Sequence, residues 1–180
     1  MSDDPFEGHT DVDDPRERYD DLIVDRQVED LGETAFERAR EMEAFRAGWV
    51  VAGVVLDSVD RVLLAYHDGD EKWLLPGGSL QPDETLEGGL VREVREETGV
   101  DVRPVRPRAV VEHLVRHDER RAGFRLVVFE ARPERTGSAT ETDLGVEGEP
   151  IREADWFAML PDEVYERQLA ESVLKRIRGR

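Results

Sequence analysis

The chain has 180 residues, 38% of them apolar, which is length and core material for one domain with a terminal extension. No run approaches the roughly 18 apolar residues of a membrane span, and the absence of cysteine excludes disulfides, thiolate metal sites and cysteine nucleophiles. The 43 acidic against 25 basic residues leave a net charge of −18, which repels polymeric nucleic acid because that binding draws on Lys and Arg, so no such partner is expected.

The N-terminal MSDDPFEGHTDVDDPRER is acidic and lacks the apolar stretch of a signal peptide. Residues 1–18 read as disordered, broken by Pro5 and Pro15. From about Asp25, the residues Val28, Leu31, Ala35, Ala39, Met42 and Phe45 recur at steps of three or four. That spacing predicts a helix whose apolar face docks on the main domain or on a second subunit of a homodimer. Residues 1–47 therefore form an acidic extension, first disordered and then helical, and the main domain covers 48–180.

Within the main domain, residues 49–56 (WVVAGVVL) predict a buried strand. Asp57-Ser58-Val59-Asp60 turns the chain, and residues 61–67 pair back. Trp73-Leu74-Leu75 is a short strand stopped by Pro76. A glycine-rich loop and a helix to about Thr98 follow. Residues 110–115 and 124–131 predict two more strands, 132–149 a surface loop, and 154–157 a last strand. Pro161 opens a terminal helix with Val164, Leu169, Val173, Leu174 and Ile177 inward. The irregular alternation predicts an α/β fold, a mixed sheet covered by helices.

The chemistry lies in residues 77–100, GGSLQPDETLEGGLVREVREETGV. Gly77 and Gly78 let the backbone turn sharply and approach a ligand. Asp83 or Thr85 caps the helix, and Gly99 ends it. Glu93, Glu96 and Glu97, spaced i, i+3, i+4, share one helix face. That face lies toward the apolar Leu86 and Leu90, so three like charges stand where a solvated acidic surface would not. A cation relieves this cost, and an all-oxygen donor set suits Mg²⁺ or Mn²⁺. Arg92 orients a neighbouring carboxylate or binds phosphate. Carboxylate-bound Mg²⁺ beside a glycine turn implies a di- or polyphosphate substrate, with a carboxylate as general base.

The segment resembles the Nudix signature, G-x5-E-x7-R-E-U-x-E-E-x-G-U, where U is bulky and apolar. Gly78, Glu84, Arg92, Glu93, Val94, Glu96, Glu97, Gly99 and Val100 fill its fixed positions. The resemblance implies an α/β/α sandwich with a mixed sheet. It implies metal-dependent attack of water on phosphorus in a nucleoside diphosphate linked to a group X, releasing a nucleoside monophosphate. Carried over by position, Glu93, Glu96 and Glu97 are metal ligands, and the Gly77 carbonyl completes their shell. Glu93 is the general base and Arg92 orients it. Gly78, Glu84 and Gly99 support the loop and helix. Some members take the base from outside the signature, and Glu112, Glu119, Glu130 and Glu141 are the candidates here. Gly88-Gly89 departs from the alanines often found there, and close helix packing would explain the pair.

Trp73 could stack on a nucleobase, although core packing is the commoner role of such a residue. Arg106 and Arg116, in an arginine-rich stretch after the signature, could receive phosphates or pair with surface acids. His67, His113 and His117 read as ordinary histidines. Marks of coenzyme A, NADH, diadenosine polyphosphate and ADP-ribose subgroups are missing at their spacings, which leaves nucleoside triphosphates as the expected substrate. ADP-ribose and nucleotide sugars are the alternatives. A Nudix-fold module that senses nucleotides without hydrolysis is the rival from another class, and the intact signature argues against it. The acid-rich composition with only two lysines, Lys72 and Lys175, resembles that of cytoplasmic proteins of salt-loving microbes. No membrane partner is expected.

Overall fold

A computed structural model describes residues 4–6, 8, 11–135 and 151–179. A 3₁₀ turn (Pro15–Glu17) precedes β1 (Ile23–Asp30), α1 (Glu33–Glu41) and α2 (Glu43–Ala47). There follow β2 (Trp49–Val55), β3 (Val62–His67), β4 (Lys72–Leu74), β5 (Gly77–Ser79) and α3 (Leu86–Thr98). Two long strands, β6 (Val102–His117) and β7 (Arg120–Pro133), lead to β8 (Ile151–Phe157) and α4 (Arg167–Arg178). One sheet has the order β1-β6-β7-β2-β5, and a second has the order β4-β3-β8. Residues 62–67 therefore do not pair back on β2 as expected: a single Leu56–Val62 bridge closes the turn, and β3 then crosses to the second sheet to pair with β4 and β8. Parallel pairing of β1 with β6 and antiparallel pairing of β3 with β4 and β8 make the fold mixed α/β.

The N-terminal extension departs from its expected form in two ways. Residues 23–30 are a strand, not the start of a helix: Ile23 to Asp30 pair in parallel with Ala109 to Arg116. The three-and-four spacing of Val28 and Leu31 with later residues misled the reading, because Val28 belongs to an edge strand and is largely exposed. A pattern that fits a helix loses to eight consecutive pairings along β6. The stretch to residue 18, expected to be disordered, holds the 3₁₀ turn, capped by Asp14 through the Arg16 N–H. The terminal helix begins at Arg167 and not at Pro161. Val164 instead bridges to Trp73.

Contacts divide the chain into two compact units. The first comprises Met1–Val51, Gly78–Gly89 and Pro107–Val128. Here α1 docks by Phe36 and Ala39 on Val115, with Leu31, Phe45 and Ala122 around them. The second comprises Ala52–Gly77, Leu90–Arg106 and Phe129–Arg180. Here the buried faces of β2 and β3 are Val and Leu, and α4 buries Ala170, Val173, Leu174 and Ile177, a helical spacing. No helix among the described residues is long and apolar enough to cross a membrane.

Candidate active site

The helix that carries the carboxylates is fixed at both ends. Thr85 Oγ1 accepts the Gly88 N–H at 3.0 Å, so Thr85 caps it rather than Asp83. Gly99, at φ 73°, ends it by donating to the Arg95 carbonyl at 2.9 Å. Leu90 and Val94 are fully buried, and Gly53 of β2 gives them room: a Cβ there would stand 3.1 Å from Leu90 Cδ1. The Gly53 N–H donates to the Pro76 carbonyl at 2.9 Å, which brings the Pro76–Gly77 backbone beside the helix.

On this scaffold Glu97 is 6% exposed, and one of its oxygens accepts the Gly77 N–H at 3.0 Å. Glu93 is 7% exposed. Arg92 donates from Nη1 to Glu93 Oε1 at 2.7 Å and to Glu96 Oε2 at 3.2 Å. Glu93, Glu96, Glu97, Arg92 and Gly77 therefore meet on two turns of helix and the strand beside it. Glu84 lies in the preceding loop, where its carboxylate accepts the Gln81 N–H at 3.0 Å. Gly77 and Gly78 are not in a sharp turn: they form the strand β5, and neither has a positive φ. Their freedom is not what shapes this loop, because β5 is held as an ordinary sheet neighbour of β2. Gly89 does answer a steric need. A Cβ there would lie 2.7 Å from Leu80 Cδ1 and 3.2 Å from Glu84 Oε2.

The donor set fits a hard divalent cation in chemistry: three carboxylates within one helical turn and a half, two of them nearly buried. Their chemistry suits the ion but their positions do not yet: among the described residues, no group of three or more His, Asp or Glu side chains is arranged to hold a metal ion. Arg92 and the Gly77 N–H hold oxygens of this set.

The other named residues are dispersed. Trp73 packs edge-on against Tyr66 and Phe157, with centroids 5.3 and 4.7 Å away, and its backbone bonds Glu163 and Tyr165. That is aromatic packing of a half-buried side chain. Arg116 pairs with Asp30 across β6 and β1, at 2.8 and 2.9 Å. Arg106 has a buried Nε. Among the outside carboxylates, Glu119 is exposed in the β6–β7 turn, and Glu130 is buried, 3.5 Å from Arg132. Glu141 and most of the expected 132–149 loop lie outside the described residues.

Sequence reasoning missed the role of Glu112. It is 5% exposed and accepts from Arg16 Nη1 at 2.9 Å and Arg26 Nε at 2.6 Å, with Arg125 Nε 3.7 Å away. Burial alone would raise its pKa, but the hydrogen bonds from Arg16 and Arg26 outweigh burial and hold it below the ordinary value. A carboxylate so engaged is a poor proton acceptor. The partners lie 96 and 86 residues away, so no local signal could have shown them. His113 is stacked on Phe124 at 4.7 Å, and burial lowers its pKa.

Known proteins resemble this chain in sequence and in fold. The NUDIX domain matches residues 46–175. The chain is 34% identical over 112 residues to the mouse 8-oxo-dGDP phosphatase NUDT18, a stretch covering 61% of this chain and 32% of that protein. It is 36% identical over 121 residues to a MutT-like protein of Streptomyces ambofaciens, covering 65% of this chain and 66% of that one. The chain thus spans about a third of the length of the NUDT18 relatives. Among solved structures, an ADP-ribose pyrophosphatase of Streptococcus suis superposes with a TM-score of 0.52 at 19% identity, covering 73% of this chain and 92% of that one. The NUDIX domain of Shewanella oneidensis NrtR, in complex with ADP ribose, gives 0.53 at 21%, covering 82% and 99%. The fold is the Nudix fold, and the chain belongs to the Nudix hydrolase family.

Proposed function

We propose that this chain is a divalent-cation-dependent pyrophosphohydrolase that cleaves a nucleoside diphosphate derivative, a nucleoside triphosphate foremost, to a nucleoside monophosphate. The observation that carries the reading is the nearly buried Glu97 carboxylate against the Gly77 backbone, with Glu93 and Glu96 joined by Arg92. Glu93, Glu96 and Glu97 would hold the Mg²⁺ or Mn²⁺ ion, with the Gly77 carbonyl as a further ligand. When bound, that ion neutralises phosphate oxygens as the anhydride breaks. Arg92 fixes the direction of the Glu93 carboxylate, and Glu93 accepts the proton of the attacking water. Water adds to one phosphorus, the bridging oxygen leaves with the other phosphoryl group, and the freed proton rests on Glu93. Thr85 and Gly99 hold the helix ends, and Glu84 holds the loop before it.

Oxidised guanine nucleotides belong among the substrates to test, because the NUDT18 relatives are named for 8-oxo-dGDP. We also propose a cytoplasmic protein suited to concentrated salt, supported by the net charge of −18 and the near absence of lysine. The purified chain in KCl with Mg²⁺ or Mn²⁺ is offered nucleoside di- and triphosphates, their 8-oxo forms, ADP-ribose and nucleotide sugars, and the products are separated by chromatography. Release of a nucleoside monophosphate that EDTA abolishes supports the proposal and identifies the substrate. Nucleotide binding with no turnover of any compound would instead favour a sensing module.

A further inference from the structure

Phe6, far outside the family match, sits in a made-to-measure seat in the first unit. Its N–H donates to Asp4 Oδ1 at 3.0 Å. Its ring lies where a side chain on Gly123 would be, since a Cβ there would meet Phe6 Cε1 at 2.7 Å. The Arg125 guanidinium lies over the Phe6 ring at 4.3 Å and over the Trp49 ring at 5.1 Å. Arg125 Nε is buried with no acceptor in hydrogen-bond range, and its nearest carboxylate oxygen is Glu112 Oε1 at 3.7 Å. Phe6 thus offers a planar ring to a planar cation whose charge is paired with Glu112.

This seat is tied to the signature loop. Arg125 N donates to the Gly48 carbonyl, and Leu80 N donates to the Trp49 carbonyl, both at 3.0 Å. One strand, β2, therefore stands between Arg125 and the Gly78–Leu80 end of the signature. The N-terminal segment meets that loop a second time, because Gly8, Asp11 and Val12 line a cavity of about 410 Å³ with Pro82, Asp83, Glu84 and Thr85.

We infer that Arg125 and Trp49 form a stacking platform for the planar heteroaromatic ring of a nucleotide, and that Phe6 is its removable cover. The inference rests on reading the chain as a nucleotide enzyme. A purine or pyrimidine ring reproduces the contact that Phe6 makes with the guanidinium and offers it a larger planar face. Phe6 and the ring compete for one face, so the cover lowers apparent affinity by the fraction of time it is closed.

The test uses binding in EDTA, which needs no hydrolysis. Guanosine monophosphate and ribose 5-phosphate, the same phosphate with and without a ring, are titrated calorimetrically into the full chain, F6A, R125Q, and a chain starting at Asp13. The truncated chain keeps Arg16 and β1, and so reports even if F6A misfolds. We expect F6A and the truncated chain to bind guanosine monophosphate three- to tenfold more tightly than the full chain. R125Q should lose that affinity, and ribose 5-phosphate binding should be equal across all four proteins. Unchanged or weaker nucleotide binding in both cover variants, an equal change for ribose 5-phosphate, or no nucleotide binding by any variant would overturn the inference. Absent turnover in Mg²⁺ with this binding pattern intact would instead remove the hydrolase reading alone.

Discussion

Glu97 separates chemistry from architecture at a single residue. Its carboxylate is buried enough to be costly alone, and its structural bond, to the Gly77 N–H, needs only one oxygen. Glu97→Gln keeps that acceptor and the side-chain volume while removing the charge. We expect turnover to fall by on the order of 10² or more with an unchanged melting temperature, since the charge offset at the breaking anhydride is what is lost. Steady-state kinetics beside thermal melts would check it, and near-normal turnover of the folded variant would remove Glu97 from the site. Glu112 behaves in the opposite way. Arg16, Arg26 and Arg125 surround it, so Glu112→Ala strands cations around an emptied site and should cost about 3 kcal/mol, as when one partner of a buried pair is removed. Its folded pKa lies below the ordinary 4.5, so its stabilisation is whole above that pH and is lost as the pH falls through the folded pKa. Urea unfolding as a function of pH should show a decline below about 4.5 that is shallower in Glu112→Gln. An identical acid slope would refute the linkage.

The two adjacent glycines of α3 make opposite predictions at the scale of the element. Each carries a helix-propensity cost of about 1 kcal/mol relative to alanine. At Gly89 a methyl group meets the buried Leu80 at 2.7 Å, and overpacking of about 1–3 kcal/mol exceeds the propensity gain. Gly89→Ala should therefore destabilise, by roughly 1 kcal/mol. At Gly88 the nearest contact is the capping Thr85 Oγ1 at 3.1 Å, which leaves most of the gain. Gly88→Ala should leave stability unchanged or raise it by up to about 1 kcal/mol. Chemical denaturation of the two variants decides, and a stabilised Gly89→Ala would mean that Leu80 yields freely. The strand β1 carries the other element-scale lesson. Its apolar residues fit helical spacing, yet the hydrogen-bonding edge of β6 captures it. Only the pairing partner, some 86 positions away, distinguishes the two forms.

For the whole molecule, the dominant property is charge. At −18, self-repulsion opposes compaction, and ion pairs such as Arg116–Asp30 are too exposed to offset it. Raising KCl from about 0.05 M to 2 M shortens the screening length to a few ångströms. The melting temperature should rise over that range. A fall would show that surface ion pairs outweigh the net repulsion, and the proposed adaptation to concentrated salt would fail with it.

What the sequence by itself determined was whatever depends on neighbours a few residues apart. The i, i+3, i+4 carboxylates, the Gly99 stop and the turn at residues 57–60 are all short-range, because helical and turn geometry repeat within one or two turns. The family signature is short-range too, which is why the family was legible before the fold. What only the tertiary structure decided were contacts between distant segments. It set β1 as a strand, β3 in a second sheet, Gly77–Gly78 as sheet, Trp73 against Tyr66 and Phe157, Thr85 as the cap, Glu112 as an anchor for two N-terminal arginines, and Phe6 on Arg125. Each depends on a partner brought close by chain folding, and the energy of a hydrogen bond or a stacked ring exists only once that partner has arrived.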